Sequence, residues 1–303
     1  MAQSLPKPDA RMTYRPRRSA LYVPASNGRA IEKARGLACD VVILDLEDAV
    51  APQVKAGARA AAAQAARGGG FGPREVLIRC NGLDTAWGAE DLAAAAAAGP
   101  DGVLVPKIKA PADLGAYQAA LAEAPAHTGL WAMIETCQAI FALEPIAACR
   151  AGGRLTGFCL GLNDLAQAMG ARQAPGRAAF QTVLTLTVAA ARAHQLAVLD
   201  GVFTDLDDPR GLEVECRQGA DVGFDGKSLI HPSQIEICNR AFGPDPDRLA
   251  QARAVIAAFE DPRNAGLGAL RVEGRMVERL HLRQARDLLA AQAAILAREG
   301  DPP

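Results

Sequence analysis

Val41-Val42-Ile43-Leu44-Asp45-Leu46-Glu47 runs through four apolar residues without a break and then turns to acids. A strand with one face in water alternates apolar with polar residues, whereas a strand covered on both faces is apolar throughout. The stretch therefore predicts a strand buried on both sides that ends in carboxylates. Working outward, the same kind of run recurs at Ser19–Pro24, Glu75–Cys80, Gly102–Pro106, Leu130–Glu135, Gly157–Leu162 and Ala197–Val202, and from Asp221–Phe224 on to Ile230. Segments of helical length separate the runs: Ser26–Ala38, Lys55–Ala66, Ala89–Ala98, Ala110–Ala124 and Gly176–His194. Ser26 and Asn27 are N-cap candidates for the first of them. Strand alternating with helix implies parallel strands joined by right-handed crossovers. Eight such runs suit a closed (β/α)8 TIM barrel, an α/β fold that takes about 250 residues. The competing architecture, an open doubly wound sheet, is disfavoured because no Gly-x-Gly-x-x-Gly follows the first run.

The pattern changes after about residue 240. Pro244-Asp245-Pro246 opens a helical stretch, Asp247–Phe259, followed by a turn-prone segment, Asn264–Gly268, then Leu270–Val277 and a closing helix, Leu282–Arg298. The expected organisation is a flexible arm over residues 1–18, a catalytic barrel over 19–238, and a helical lid or oligomerisation segment over 239–303. Half of the 303 residues are hydrophobic, enough for a full core, and the formal net charge is −1. That balance argues against nucleic acid or an anionic membrane surface as the main partner. No stretch approaches the roughly 18 apolar residues of a membrane helix, and the polar, Arg-rich start has no secretory character. Seven cysteines without a Cys-x-x-Cys pair read as reduced core thiols, which suits a cytoplasmic protein.

In a barrel, chemistry collects at the C-terminal ends of the strands. Those positions hold Asp45, Glu47 and Asp48 on the second strand, Arg79 and Asn81 on the third, Lys107 after the fourth, Glu135 on the fifth, and Asn163-Asp164 after the sixth. Glu135 and Asp164 suit Mg²⁺, which takes one or two carboxylates and completes its shell with water and substrate oxygens. Nothing offers zinc ligands. Equally, an acid in the position of Asp164 can cap the next helix. Arg79 either pairs with a structural acid or offers its fork to a substrate carboxylate or developing oxyanion. Asp45, Glu47 and Asp48 are too many acids for one cation, so a role behind the ligands, orienting Arg79 or bound water, is expected of them. His231 stands after the last strand, within reach of the rim or in a structural role. Arg18, Lys107 and the Arg-rich C-terminal segment are the basic residues that could hold phosphates. No serine has the setting of a nucleophile elbow.

These residues also carry a resemblance. Arg17-Arg18-Ser19-Ala20-Leu21-Tyr22-Val23-Pro24-Ala25-Ser26-Asn27, Asp40 to Val50 with Lys55, Ile78-Arg79-Cys80-Asn81-Gly82 and Val105-Pro106-Lys107-Ile108 look like motifs of the citrate lyase β-subunit-like family. So do Met133-Ile134-Glu135-Thr136, Gly161-Leu162-Asn163-Asp164-Leu165 and the stretch from Gly223 to Ile235, giving a colinear match over roughly residues 17–300. The resemblance implies a TIM barrel that binds Mg²⁺ through Glu135 and Asp164, with Arg79 on the substrate and Asp45, Glu47 and Asp48 nearby. It further implies an acyl-CoA thioester and a small 2-oxoacid as partners. A homotrimer or hexamer is the implied assembly, with a C-terminal segment reaching over a neighbour's active site. In the lyases of that family this segment carries Met-[Ile/Val]-Asp-x-Pro, whose Asp is the acid/base. Here it reads Met276-Val277-Glu278-Arg279-Leu280, so Glu278 takes the Asp position with one more methylene and Leu280 replaces the Pro.

The expected reaction is Mg²⁺-dependent carbon–carbon cleavage, or formation, of a 3-hydroxyacyl-CoA such as malyl-CoA or citramalyl-CoA. Arg79 would stabilise the oxyanion and Glu278 would protonate the leaving enolate. Malyl-CoA hydrolysis is the alternative, since it uses the same metal and arginine. A citrate lyase β subunit working on a carrier-bound citryl thioester is another, and a non-catalytic relative a third.

Overall fold

The computed structural model describes residues 14–300. Residues 17–242 form one compact unit, and residues 243–300 belong to a second. In the first unit the chain runs β1 (Ser19–Pro24), α1 (Gly28–Arg35), β2 (Val41–Asp45), α2 (Lys55–Gly68), β3 (Glu75–Arg79), α3 (Gly88–Ala98) and β4 (Gly102–Val105). It continues through α4 (Pro111–Ala120), β5 (Gly129–Ile134), α5 (Cys137–Phe141), α6 (Leu143–Ala148), β6 (Leu155–Leu160), α7 (Leu162–Met169) and α8 (Gln181–Ala193). The unit ends with β7 (Ala197–Asp200), α9 (Pro209–Val222), β8 (Gly226–Leu229) and α10 (Ile235–Phe242).

All eight strands are parallel, and β8 pairs back onto β1 through Ser19 with Lys227 and Leu21 with Leu229, closing the barrel. Side chains alternate between faces along each strand. One set, including Ala20, Ile43, Leu77, Leu104, Trp131, Met133, Cys159 and Leu199, packs together inside. The other, including Leu21, Val42, Ile78, Val103, Leu130, Phe158 and Val198, packs outward with the helices. Both faces are apolar, which is why the strands read as unbroken runs. The indole of Trp131 fits the interior because two neighbouring strands present glycine to it. A Cβ on Gly157 would stand 2.5 Å from the ring, and one on Gly102 would stand 3.0 Å away.

Several boundaries differ from the sequence reading. The eighth strand begins at Gly226, whereas Asp221 and Val222 finish α9. Gly223, at φ 107°, stops that helix in the left-handed region that favours glycine. Asn27, not Ser26, caps α1 by accepting the N–H of Ala30 at 3.1 Å. The expected arm, residues 1–18, lies mostly outside the described residues, but Arg17 and Arg18 belong to the barrel unit. The buried Arg18 donates to Asp40 through Nε at 2.9 Å and Nη2 at 3.1 Å. It stands at the N-terminal end of β1, far from the strand ends where a phosphate would be met, so its expected phosphate role is not supported.

The second unit contains α11 (Pro246–Glu260), the antiparallel pair β9 (Ala269–Val272) and β10 (Arg275–Glu278), and α12 (Arg279–Gly300). Glu273 at φ 46° and Gly274 at φ 81° make the two-residue turn, as a right-twisted hairpin requires. Ala252, Val255, Val277 and Ala285 form its buried cluster.

Candidate active site

The polar residues at the strand ends form two adjoining groups. The first is built around Arg79, the last residue of β3. Its Nε and Nη2 donate to the two oxygens of Asp45 at 2.6 and 2.7 Å, a bidentate pair between the ends of neighbouring strands. Asp45 is fully buried and also accepts the N–H groups of Glu47 at 2.9 Å and Ala49 at 3.1 Å. The remaining terminal nitrogen of Arg79, Nη1, lies 3.0 Å from Glu47 Oε2 and 3.4 Å from Asp48 Oδ2. The loop carrying these acids is pinned from behind. Buried Lys55 donates to Leu46 O at 2.8 Å, Glu47 O at 2.9 Å and Asn81 Oδ1 at 2.8 Å. Asn81 in turn donates to Asp91 at 2.6 Å.

Under Arg79 lies a residue that the sequence reading passed over. The guanidinium stacks on the ring of Tyr22 at 4.7 Å, and the Tyr22 hydroxyl lies 3.8 Å from Cys159 Sγ. Tyr22 belongs to the interior set of β1, two residues before its end. That parity is the signal that could have found it.

The second group is an acid pair with a lysine. Glu135 follows β5 directly and is buried. Its Oε1 accepts the backbone N–H of Lys107 at 2.7 Å, while its Oε2 is buried without a hydrogen-bond partner. Asp164 stands in the first turn of α7, whose N-cap is Gly161 with no side-chain cap. Asp164 is therefore no cap; its Oδ1 accepts from the ammonium of Lys107. The same ammonium lies 3.6 Å from Glu135 Oε1. Gly161 admits this arrangement, because a Cβ there would collide with the Glu135 carboxyl.

Burial dominates the electrostatics. It pushes the Glu135 carboxyl up to about 7, with Lys107 working against the shift and Asp164 adding to it. Burial likewise pushes Glu47 up to about 8, with Arg79 opposing and Asp48 and Glu135 reinforcing. Both shifts arise first from burial, which disfavours a charged carboxylate and which a nearby cation counteracts. Among the described residues no group of three or more His, Cys, Asp or Glu is placed to hold a metal. Two hard carboxylates, one with an unpartnered buried oxygen, fit a Mg²⁺ that keeps water and substrate in its shell.

His231 does not join either group. Its Nδ1 lies 2.8 Å from Ser233 Oγ and accepts the Ser233 N–H at 3.2 Å, so it caps the turn after β8. Glu278 ends β10 in the second unit with an exposed side chain, and its N–H donates to His281 Nδ1 at 2.9 Å.

Residues 18–232 match the family model described as HpcH/HpaI aldolase/citrate lyase. A (3S)-malyl-CoA thioesterase of Cereibacter sphaeroides is 47% identical over 93% of this chain and 96% of its own length. An L-malyl-CoA/beta-methylmalyl-CoA lyase of the same species is 33% identical over the same shares of both chains. The crystal structure of the protein CitE from Mycobacterium tuberculosis in complex with magnesium, acetoacetate and coenzyme A superposes with a TM-score of 0.74. It is 33% identical, covering 91% of this chain and 97% of that one. The chain belongs to the HpcH/HpaI aldolase/citrate lyase family.

Proposed function

We propose that this family member is a Mg²⁺-dependent thioesterase that hydrolyses a malyl-CoA-type 3-hydroxyacyl thioester to free CoA and the hydroxy acid. The observation that carries this reading, ahead of carbon–carbon cleavage, is the 47% identity to a malyl-CoA thioesterase along nearly the full length of both chains. The lyase relative matches the same span at 33%. Hydrolysis adds water across the C–S bond: the water oxygen joins the acyl carbon, and its proton ends on the CoA sulfur.

In this mechanism Glu135 and Asp164 hold the metal. When bound, Mg²⁺ supplies Lewis-acid polarisation and a template for substrate oxygens. Asp45 fixes the guanidinium of Arg79 through two hydrogen bonds, so Arg79 stabilises charge developing on the reacting carbonyl without having to reorganise. Glu47 and Asp48, beside Nη1 of Arg79, hold the acid side of the site in place. Glu278 of a neighbouring chain takes the proton of the attacking water and passes it to the departing thiolate. The assembly is a homotrimer or hexamer in the cytoplasm.

Carbon–carbon cleavage is the second reading, favoured by the carboxylate retained at Glu278 where lyases carry an acid/base Asp. There Glu278 would protonate the enolate of the leaving acyl thioester. Mass spectrometry of the purified protein with malyl-CoA, in Mg²⁺ or in EDTA, separates the two. Free CoA plus malate, lost in EDTA, is the expected result. Acetyl-CoA plus glyoxylate instead makes the enzyme a lyase. An intact thioester rejects both reactions for this substrate and turns attention to citramalyl-CoA and carrier-bound citryl thioesters.

A further inference from the structure

We infer that Lys107 is a built-in competitor for the metal: its ammonium and Mg²⁺ claim the same carboxylates, Glu135 and Asp164, so that Lys107 sets the metal affinity. The inference rests on the reading of those two acids as the metal ligands.

Three observations carry it. The Lys107 ammonium is hydrogen-bonded to Asp164 and lies 3.6 Å from Glu135, so one cation already bridges both acids. The backbone is shaped to bring it there. Lys107 adopts φ 54°, a left-handed conformation that disfavours any residue with a Cβ, and its N–H donates to Glu135 at 2.7 Å. Strain of this kind persists only where the surroundings enforce it. Finally, the Lys107 side chain is 37% exposed, which leaves a solvent route by which the flexible ammonium withdraws.

The charge balance gives the exchange its direction. A single positive charge serves two carboxylates, and Glu135 Oε2 stays buried without a hydrogen-bond partner. A divalent ion compensates both acids, but it must displace the ammonium or endure its repulsion at close range, which weakens binding.

Mg²⁺ titrations by calorimetry on the full chain test this. Lys107→Met keeps the length of the side chain and removes its charge, and should bind Mg²⁺ about tenfold more tightly than the parent. Lys107→Arg keeps the charge and should stay within about threefold of it. Lys107→Gly suits the left-handed backbone and serves as a second neutral variant if Lys107→Met does not fold. Unchanged or weaker Mg²⁺ binding by the neutral variants, with the parent binding normally, overturns the inference and leaves the ligand assignment standing. If neither the parent nor any variant binds Mg²⁺, the ligand assignment falls and takes the inference with it.

Discussion

Arg79 shows how one residue can be held on several sides. Asp45 fixes two nitrogens, Glu47 and Asp48 face the third, and Tyr22 supports the plane from below. A cation over an aromatic face gains roughly 0.5–2 kcal/mol, the larger value where water is excluded. Tyr22→Phe keeps that face and should leave kcat near the parent value, while Tyr22→Leu should lower kcat about tenfold with little change in KM. Equal losses in both variants would assign the effect to the hydroxyl and Cys159 instead. The acid pair gives a second expectation at this scale. Glu135→Gln and Asp164→Asn should each weaken Mg²⁺ binding at least tenfold by calorimetry while the melting temperature in EDTA stays near the parent's. Parent-like Mg²⁺ affinity in both variants would remove them from the metal site. Arg79, Glu135 and Asp164 could be picked out in the sequence because each is a charged group closing or following an apolar run. Tyr22 was harder to find, because an aromatic in such a run looks like any other core residue unless the parity of β1 is followed to the strand's end.

At the scale of elements, the barrel is set by which strand positions carry no side chain. Trp131 fills the interior because Gly102 and Gly157 leave it room on neighbouring strands. Gly157→Ala should therefore destabilise the protein by about 1–3 kcal/mol, the usual cost of overpacking a core. Urea denaturation measures this, and a loss under 0.5 kcal/mol, the range of surface substitutions, would mean that the indole moves aside freely. Gly161 plays the corresponding part at the rim, where it makes room for Glu135. The strand positions were largely legible because a strand buried on both faces leaves an unbroken apolar run. The ends were less so. The run from Asp221 to Ile230 looks continuous, but Gly223 in the left-handed region ends a helix inside it, and the strand starts only at Gly226.

For the whole molecule, the C-terminal unit raises the question of assembly. Met276 is 72% exposed, Leu296 57% and Leu280 50%, three apolar side chains of this unit left to solvent in the single chain. Light scattering on the purified protein should give a mass three or six times the 31.6 kDa chain, and a monomer at all concentrations would remove the trimer and hexamer. By itself the sequence determined the strand-helix alternation, the family motifs, and the acids and the arginine destined for one rim, because burial on both faces and chemistry at strand ends both leave local marks. Tertiary structure alone decided which charges meet. Lys107 and Asp164 are 57 residues apart and Arg79 and Asp45 are 34 apart. Only the pairing of β4 with β5 and of β5 with β6 brings a lysine read as a phosphate holder onto the acid pair.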